Sequence, residues 1–124
     1  MGRPVMHPIE RIAVVGAGNM GSGIAQKSAQ EGFMVQMIDR EREFVDRGIK
    51  TIEGFLDEAV QRRILNDSAA KSTLSRVSGA VGVGSIEGQT DLVIEAVFED
   101  LEVKRSVLEG LSSSCSEKTI IATN

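Results

Sequence analysis

The feature that most constrains this 124-residue chain is the run IAVVGAGNMGSGIAQ, residues 12–26. Four apolar residues pass straight into glycines at positions 16, 18 and 21. A short, unbroken apolar segment suits a strand covered on both faces, as in a parallel sheet, whereas a half-exposed strand would alternate. After the glycines, Met20, Ile24, Ala25 and Ala29 recur at helical spacing, and Gly32 stands where such a helix would end. Residues 33–38 then read as a second strand closing on Asp39. Strand, helix and strand thus follow one another within the length of a βαβ unit.

A GxGxxG pattern by itself is a weak signal. Here it lies between a strand and a helix, with an acidic residue eighteen positions after its last glycine, and that context makes it informative. Gly16 allows the tight turn, Gly18 lets a pyrophosphate come against the backbone, and Gly21 lets the helix pack close to the strand. The first-turn amides around Asn19 and Met20 would face that anion with the positive end of the helix dipole behind them. Asp39 can accept hydrogen bonds from an adenosine ribose and would repel a 2′-phosphate, which favours NAD as the cofactor. Arg40 and Arg42 follow immediately, and an arginine there can hold a 2′-phosphate, so NADP stays open at this point.

Beyond Asp39, Phe44, Gly48, Ile52, Phe55, Leu56, Ala59 and Val60 recur every three to four residues, predicting a long amphipathic helix over residues 40–65. Glu43/Arg47, Asp46/Lys50 and Glu58/Arg62 are acid-first pairs four apart on its solvated side. Residues 66–75 read as a turn and a short helix, and Val77, Val81 and Val83 alternate as a glycine-diluted edge strand. Residues 91–97, DLVIEAV, form the next strong strand signal, followed by a helix over residues 101–113 and a fifth strand over residues 118–124. The fold class expected is α/β, a Rossmann-type doubly wound, mostly parallel sheet with a helical excursion after the second strand. Residues 1–8 read as a lead-in and 9–124 as the dinucleotide-binding domain, incomplete at its C-terminus because the fifth strand has no helix after it.

The bulk composition excludes several classes. The chain is 41% hydrophobic and has no long apolar run, so no membrane span is expected. Fourteen Lys and Arg scattered among eighteen Asp and Glu, for a net charge of −4, argue against a nucleic-acid partner. The single Cys115 and an N-terminus without an apolar signal core make a reducing cytoplasm the expected compartment. With His7 alone in the lead-in, there is no case for a Cys/His nucleophile or a zinc site, and no metal is expected. The segment from Gly82 to Glu87 begins like a second phosphate loop, but Glu87 occupies the third glycine position, so it reads as an edge-strand turn. Ser68 to Lys71 fits S-x-x-K without the companion motifs that give that pattern meaning.

Taken together, IAVVGAGNMGSGIAQ, MIDR, DLVIEAVFEDLEVK and TIIATN resemble the N-terminal NAD-binding portion of the 3-hydroxyacyl-CoA dehydrogenases, including the 3-hydroxybutyryl-CoA dehydrogenases. The resemblance spans residues 11–124. It implies reversible oxidation of a 3-hydroxyacyl-CoA to the ketone with NAD, acyl-CoA as substrate, a place in fatty acid and butanoate metabolism, and a homodimer formed through a C-terminal domain. It implies that Gly16, Gly18, Asn19, Met20 and Gly21 line the pyrophosphate, that Asp39 binds the ribose with Arg40 beside it, and that Ala96 and Val97 pass under the cofactor. By the same resemblance Glu99 and Lys104 lie near the nicotinamide and Asn124 lines the nicotinamide–substrate region. Arg62 or Arg63, in the helical excursion, would meet a CoA phosphate, with a plain solvated helix tip as the other reading. The family's serine, histidine and glutamate of the active site fall beyond Asn124, so no catalytic residue is expected within the chain and it is expected to be inactive alone. Two other readings remain: a related dehydrogenase of free hydroxy acids, and a non-catalytic NAD-binding module.

Overall fold

The computed structural model describes residues 9–96 and 120–123, the last four as backbone. In chain order the elements are β1 (Arg11–Val15), α1 (Asn19–Gln30), β2 (Met34–Asp39), α2 (Arg42–Gln61), α3 (Asp67–Ser75), β3 (Val77–Val81), a 3₁₀ turn (Val83–Ser85), β4 (Leu92–Glu95) and β5 (Ile120–Thr123). The strands form one sheet in the order β3-β2-β1-β4-β5, and every neighbouring pair is parallel. From β1 the chain builds outward through β2 and β3, then returns to β4 on the other side of β1. The gap between the ends of β1 and β4 is therefore the switch point of the sheet, where α/β folds open a crevice for ligands.

The continuous apolar reading of β1 is explained by burial on both faces. Ile12 and Val14 pack with Val35 and Met37 of β2 beneath α1, α2 and α3, while Ala13 and Val15 join Ile38, Val93 and Ile86 on the opposite face. On α1, Ala25 and Ala29 are fully buried, and small side chains there let the helix lie close to the sheet. Asp91 fixes the entry to β1 from below, its Oδ2 accepting hydrogen bonds from the amides of Glu10 and Arg11 at 2.9 and 3.0 Å.

The long helix after Asp39 is present, but its inward stripe differs from the expected one. Val45, Gly48, Ile52 and Leu56 are buried, whereas Phe44 is half-buried and Phe55 is 40% exposed. Two phenylalanines at helical spacing mimic a core stripe in sequence, yet they flank the line that meets the sheet. Of the expected charge pairs, Glu43–Arg47 and Glu58–Arg62 form at 3.0 and 2.7 Å, while Asp46 pairs backward with Arg42 at 3.1 Å rather than with Lys50. The helix ends at Gln61, and α3 starts behind an Asn66 cap whose Oδ1 accepts from the Ala69 amide at 2.7 Å. β3 is the edge strand expected, except that it ends at Val81 and Val83 lies in the 3₁₀ turn. β5 falls within the expected fifth strand, whereas the helix expected over residues 101–113 lies outside the described residues.

Candidate functional site

The carboxyl edge of the sheet is shaped by the glycine turn. Gly16 takes a φ of 113°, a conformation disfavoured for residues with a Cβ, and its amide donates to the Ile38 carbonyl at 2.7 Å. A Cβ at Gly21 would collide with the Gly16 carbonyl oxygen, so α1 starts directly against the turn. Fully buried Ser22 ties the two together, its amide donating to Gly18 O at 2.8 Å and its hydroxyl to Ala17 O at 3.3 Å. Gly18 is different: its φ is −75°, and a Cβ there would meet no atom of the described residues within 4 Å. Neither backbone conformation nor packing against the described residues asks for glycine at position 18, and its surface is open to approach from outside. The start of α1 also has no capping side chain and no acidic residue in its first turn, unlike α3 with its Asn66 cap and Asp67. That is the charge pattern a helix start needs to receive an anionic group.

Asp39, at the end of β2, belongs to the same site. Its Oδ2 accepts a hydrogen bond from the Ala17 amide at 2.9 Å, its Oδ1 accepts from the Arg40 amide at 2.7 Å, and its carbonyl accepts from the Gly82 amide at 2.8 Å. The acid is therefore anchored to the glycine turn itself, although 22 positions separate it from Ala17. A carboxylate has about four acceptor directions, and two amides leave room for hydroxyl donors. Together the open Gly18, the uncapped helix start and the anchored acid fit the diphosphate and ribose of a dinucleotide.

The three arginines that follow are held differently. Arg42 pairs with Asp46, Arg47 pairs with Glu43, and the Arg40 guanidinium lies 5.3 Å from the centre of the Phe44 ring. Arg62 and Arg63 stand apart from the crevice. Gly48 packs against Ala17, and Arg62 follows it by fourteen residues of helix, about 20 Å along the axis. There Arg62 pairs with Glu58 at 2.7 Å, and Arg63 adopts a φ of 59° in the turn that ends the helix.

Across the switch point, the Ala96 amide donates to Val15 O at 2.8 Å, which sets Ala96 beside the first residue of the glycine turn. Its neighbour Glu95 has no exposed surface. Sequence reasoning did not single out Glu95, and the one available signal was a charge inside an otherwise apolar strand. Asn19 and Met20 are exposed at the start of α1, Met20 with 56% of its surface. Val97, Glu99, Lys104 and Asn124 lie outside the described residues, as do His7 and Cys115. Among the described residues no group of His, Cys, Asp and Glu is placed to hold a metal ion.

A parallel doubly wound sheet with this turn at its switch point, and an acid locked to the turn from the adjacent strand, defines a dinucleotide-binding Rossmann domain. Residues 11–124 match the family described as 3-hydroxyacyl-CoA dehydrogenase, NAD binding domain. The chain belongs to that family, and the cofactor of its domain is NAD. Among solved structures it is similar to (S)-3-hydroxybutyryl-CoA dehydrogenase from Ralstonia eutropha, at 34% identity and a TM-score of 0.89, over 94% of this chain and 41% of that one. A structure described as a diketoreductase acting on dicarbonyl compounds is similar at 33% identity and a TM-score of 0.88, over 96% of this chain and 42% of that one. The mitochondrial hydroxyacyl-coenzyme A dehydrogenase of Sus scrofa is 32% identical over 94% of this chain and 38% of its own. The chain thus spans about two fifths of the length of these relatives. No helix among the described residues is long and apolar enough to cross a membrane.

Proposed function

We propose that this chain forms the cofactor-binding portion of an NAD-dependent dehydrogenase that interconverts (S)-3-hydroxyacyl-CoA and 3-oxoacyl-CoA, with short acyl chains such as 3-hydroxybutyryl-CoA. The observation that carries the reading is the 2.9 Å hydrogen bond between the Ala17 amide and Asp39, which makes the glycine turn and the ribose-binding acid one preassembled site. When bound, NAD supplies the hydride acceptor. Gly16, Gly18, Asn19, Met20 and Gly21 hold the pyrophosphate, Asp39 and Arg40 the adenosine end, and Ala96 backs the crevice. Val97, Glu99, Lys104 and Asn124 are assigned to the nicotinamide side on family resemblance.

Oxidation of an alcohol also needs a base at the hydroxyl proton, and the only histidine of the chain is His7. Turnover is accordingly assigned to the parent protein, a homodimer assembled through a further helical domain and working in the cytoplasm, with no nucleic-acid or membrane partner. Arg62 is a weaker candidate for a CoA phosphate, since Glu58 already neutralises it. Calorimetric titration tests the reading: saturable binding that prefers NADH to NADPH is expected, and no NADH binding overturns it. The similarity to the diketoreductase favours a second reading, a substrate without CoA. In the parent enzyme, competition by CoA esters but not by free 3-hydroxy acids separates the two.

A further inference from the structure

The methionines among the described residues meet solvent to very different degrees. Met37, inside β2, has no exposed surface, whereas Met34 at the start of that strand is 45% exposed and Met20 is 56% exposed. Met34 and Met20 belong to opposite edges of the sheet. The glycine turn stands beside Asp39, and Asp39 lies five residues beyond Met34 on β2, about 16 Å along the strand. Met20 is the second residue of α1, just after the open Gly18, at a helix start with no capping side chain and no acidic residue in its first turn. The Cα–Cβ bonds of a helix tilt toward its N-terminus, so the Met20 thioether leans toward the ground that a pyrophosphate on that turn would occupy. The one solvent-exposed thioether at the carboxyl edge, among the described residues, is therefore also at the proposed phosphate site.

We propose that Met20 is an oxidation site through which peroxide controls cofactor binding, its sulfoxide closing the glycine turn to NAD. The inference rests on the NAD-binding reading above. In the step itself a sulfur lone pair attacks one oxygen of hydrogen peroxide, the O–O bond breaks as the S–O bond forms, and the proton of the transferred oxygen passes to the leaving hydroxide, giving water. The sulfur is oxidised by two electrons and the peroxide is reduced by two. The product differs from the thioether in the property that matters at a phosphate site. A thioether is a weak acceptor and leaves backbone amides to an anion. A sulfoxide is polar, its oxygen carries partial negative charge, and it has no proton to donate. Set beside the first turn of α1, that oxygen repels phosphate oxygens and competes with them for the same amides. Bound cofactor covers the thioether, so occupancy and oxidation exclude each other, and the reverse step is reduction of the sulfoxide by a methionine sulfoxide reductase.

The test treats the full chain with hydrogen peroxide, removes the oxidant, maps sulfoxides by peptide mass spectrometry and titrates the product with NADH. Met20 should oxidise well ahead of buried Met37, and saturating NAD present during treatment should protect Met20 while leaving Met34, at the other edge, as reactive as before. Oxidised wild type should bind NADH about tenfold more weakly, the scale of one charge-assisted hydrogen bond, and sulfoxide reductase should restore the affinity. Met20→Leu should show the same affinity before and after peroxide, whereas Met34→Leu should lose affinity as wild type does. Cys115 is present in every variant, so its oxidation cannot produce that difference. Should Met20→Leu fail to fold, Met20→Gln decides, since a polar acceptor at this position should weaken NADH binding without peroxide. The proposal is overturned if sulfoxide at Met20 leaves NADH affinity unchanged, if NAD gives Met20 no protection, or if Met20→Leu loses affinity on treatment as wild type does. Failure of the untreated chain to bind NADH would overturn the cofactor reading as well, which separates the two.

Discussion

Asp39 and Gly21 carry the site at the scale of single residues, for different reasons. Asp39 contributes charge: Asp39→Ala removes the carboxylate that would meet the ribose hydroxyls, and NADH affinity should fall by roughly 1.5–3 kcal/mol. Calorimetric titration with NADH measures this, and an unchanged affinity would mean that the ribose is held elsewhere. Gly21 contributes the absence of a side chain. A Cβ there meets the Gly16 carbonyl, so Gly21→Ala must push α1 off the turn, at about 1–3 kcal/mol of stability, and should lose NADH binding as well. Urea unfolding alongside titration separates those effects. The glycines and Asp39 were legible in the sequence because their spacing along one βαβ unit is set by element length. The Ala17–Asp39 bond was not, because it depends on how far β2 runs before it turns beside β1.

At the scale of elements, α2 decides how firmly the glycine turn and the end of β2, the proposed adenosine side of the site, are backed. Its buried stripe of Val45, Ile52 and Leu56 seals one sheet face, and Gly48 brings it within contact of Ala17: a Cβ at Gly48 would stand 2.8 Å from Ala17 O and 2.9 Å from the Met37 methyl. Ile52→Ala should cost about 2–5 kcal/mol, as deletion of a fully buried side chain does. Phe55→Ala, on a residue 40% exposed, should cost less, and chemical denaturation of the two variants compares them directly. If Phe55→Ala proved the more damaging, the phenylalanine stripe expected from sequence would be right after all. The error has a plain origin. At 100° per residue, Phe44 and Val45 are both compatible with a stripe through Gly48 and Ile52, and sequence hydrophobicity favours the larger side chain. The position of the sheet chose Val45, and the charge of Arg40 and Arg47 claimed Phe44.

For the molecule as a whole, cofactor and fold are thermodynamically linked. NADH at about a hundredfold excess over its dissociation constant should stabilise the native state by about 2.7 kcal/mol and raise the melting temperature by several degrees. Absence of any shift in a thermal scan would exclude binding at that concentration. The exposed ion pairs add little, since each lies in high dielectric and is screened by salt. What the sequence by itself determined was the order and kind of the described elements, the glycine turn and the acid beside it, because periodicity, apolar runs and glycine spacing are local properties of the chain. What only the tertiary structure decided was which side chains share a space. It assigned the three arginines to Phe44, Asp46 and Glu43, buried Glu95, set Arg62 far along α2, and bound Asp39 to the Ala17 amide. Each of these depends on strand register and helix rotation, which are fixed by the summed packing of distant residues and leave no mark at any one position.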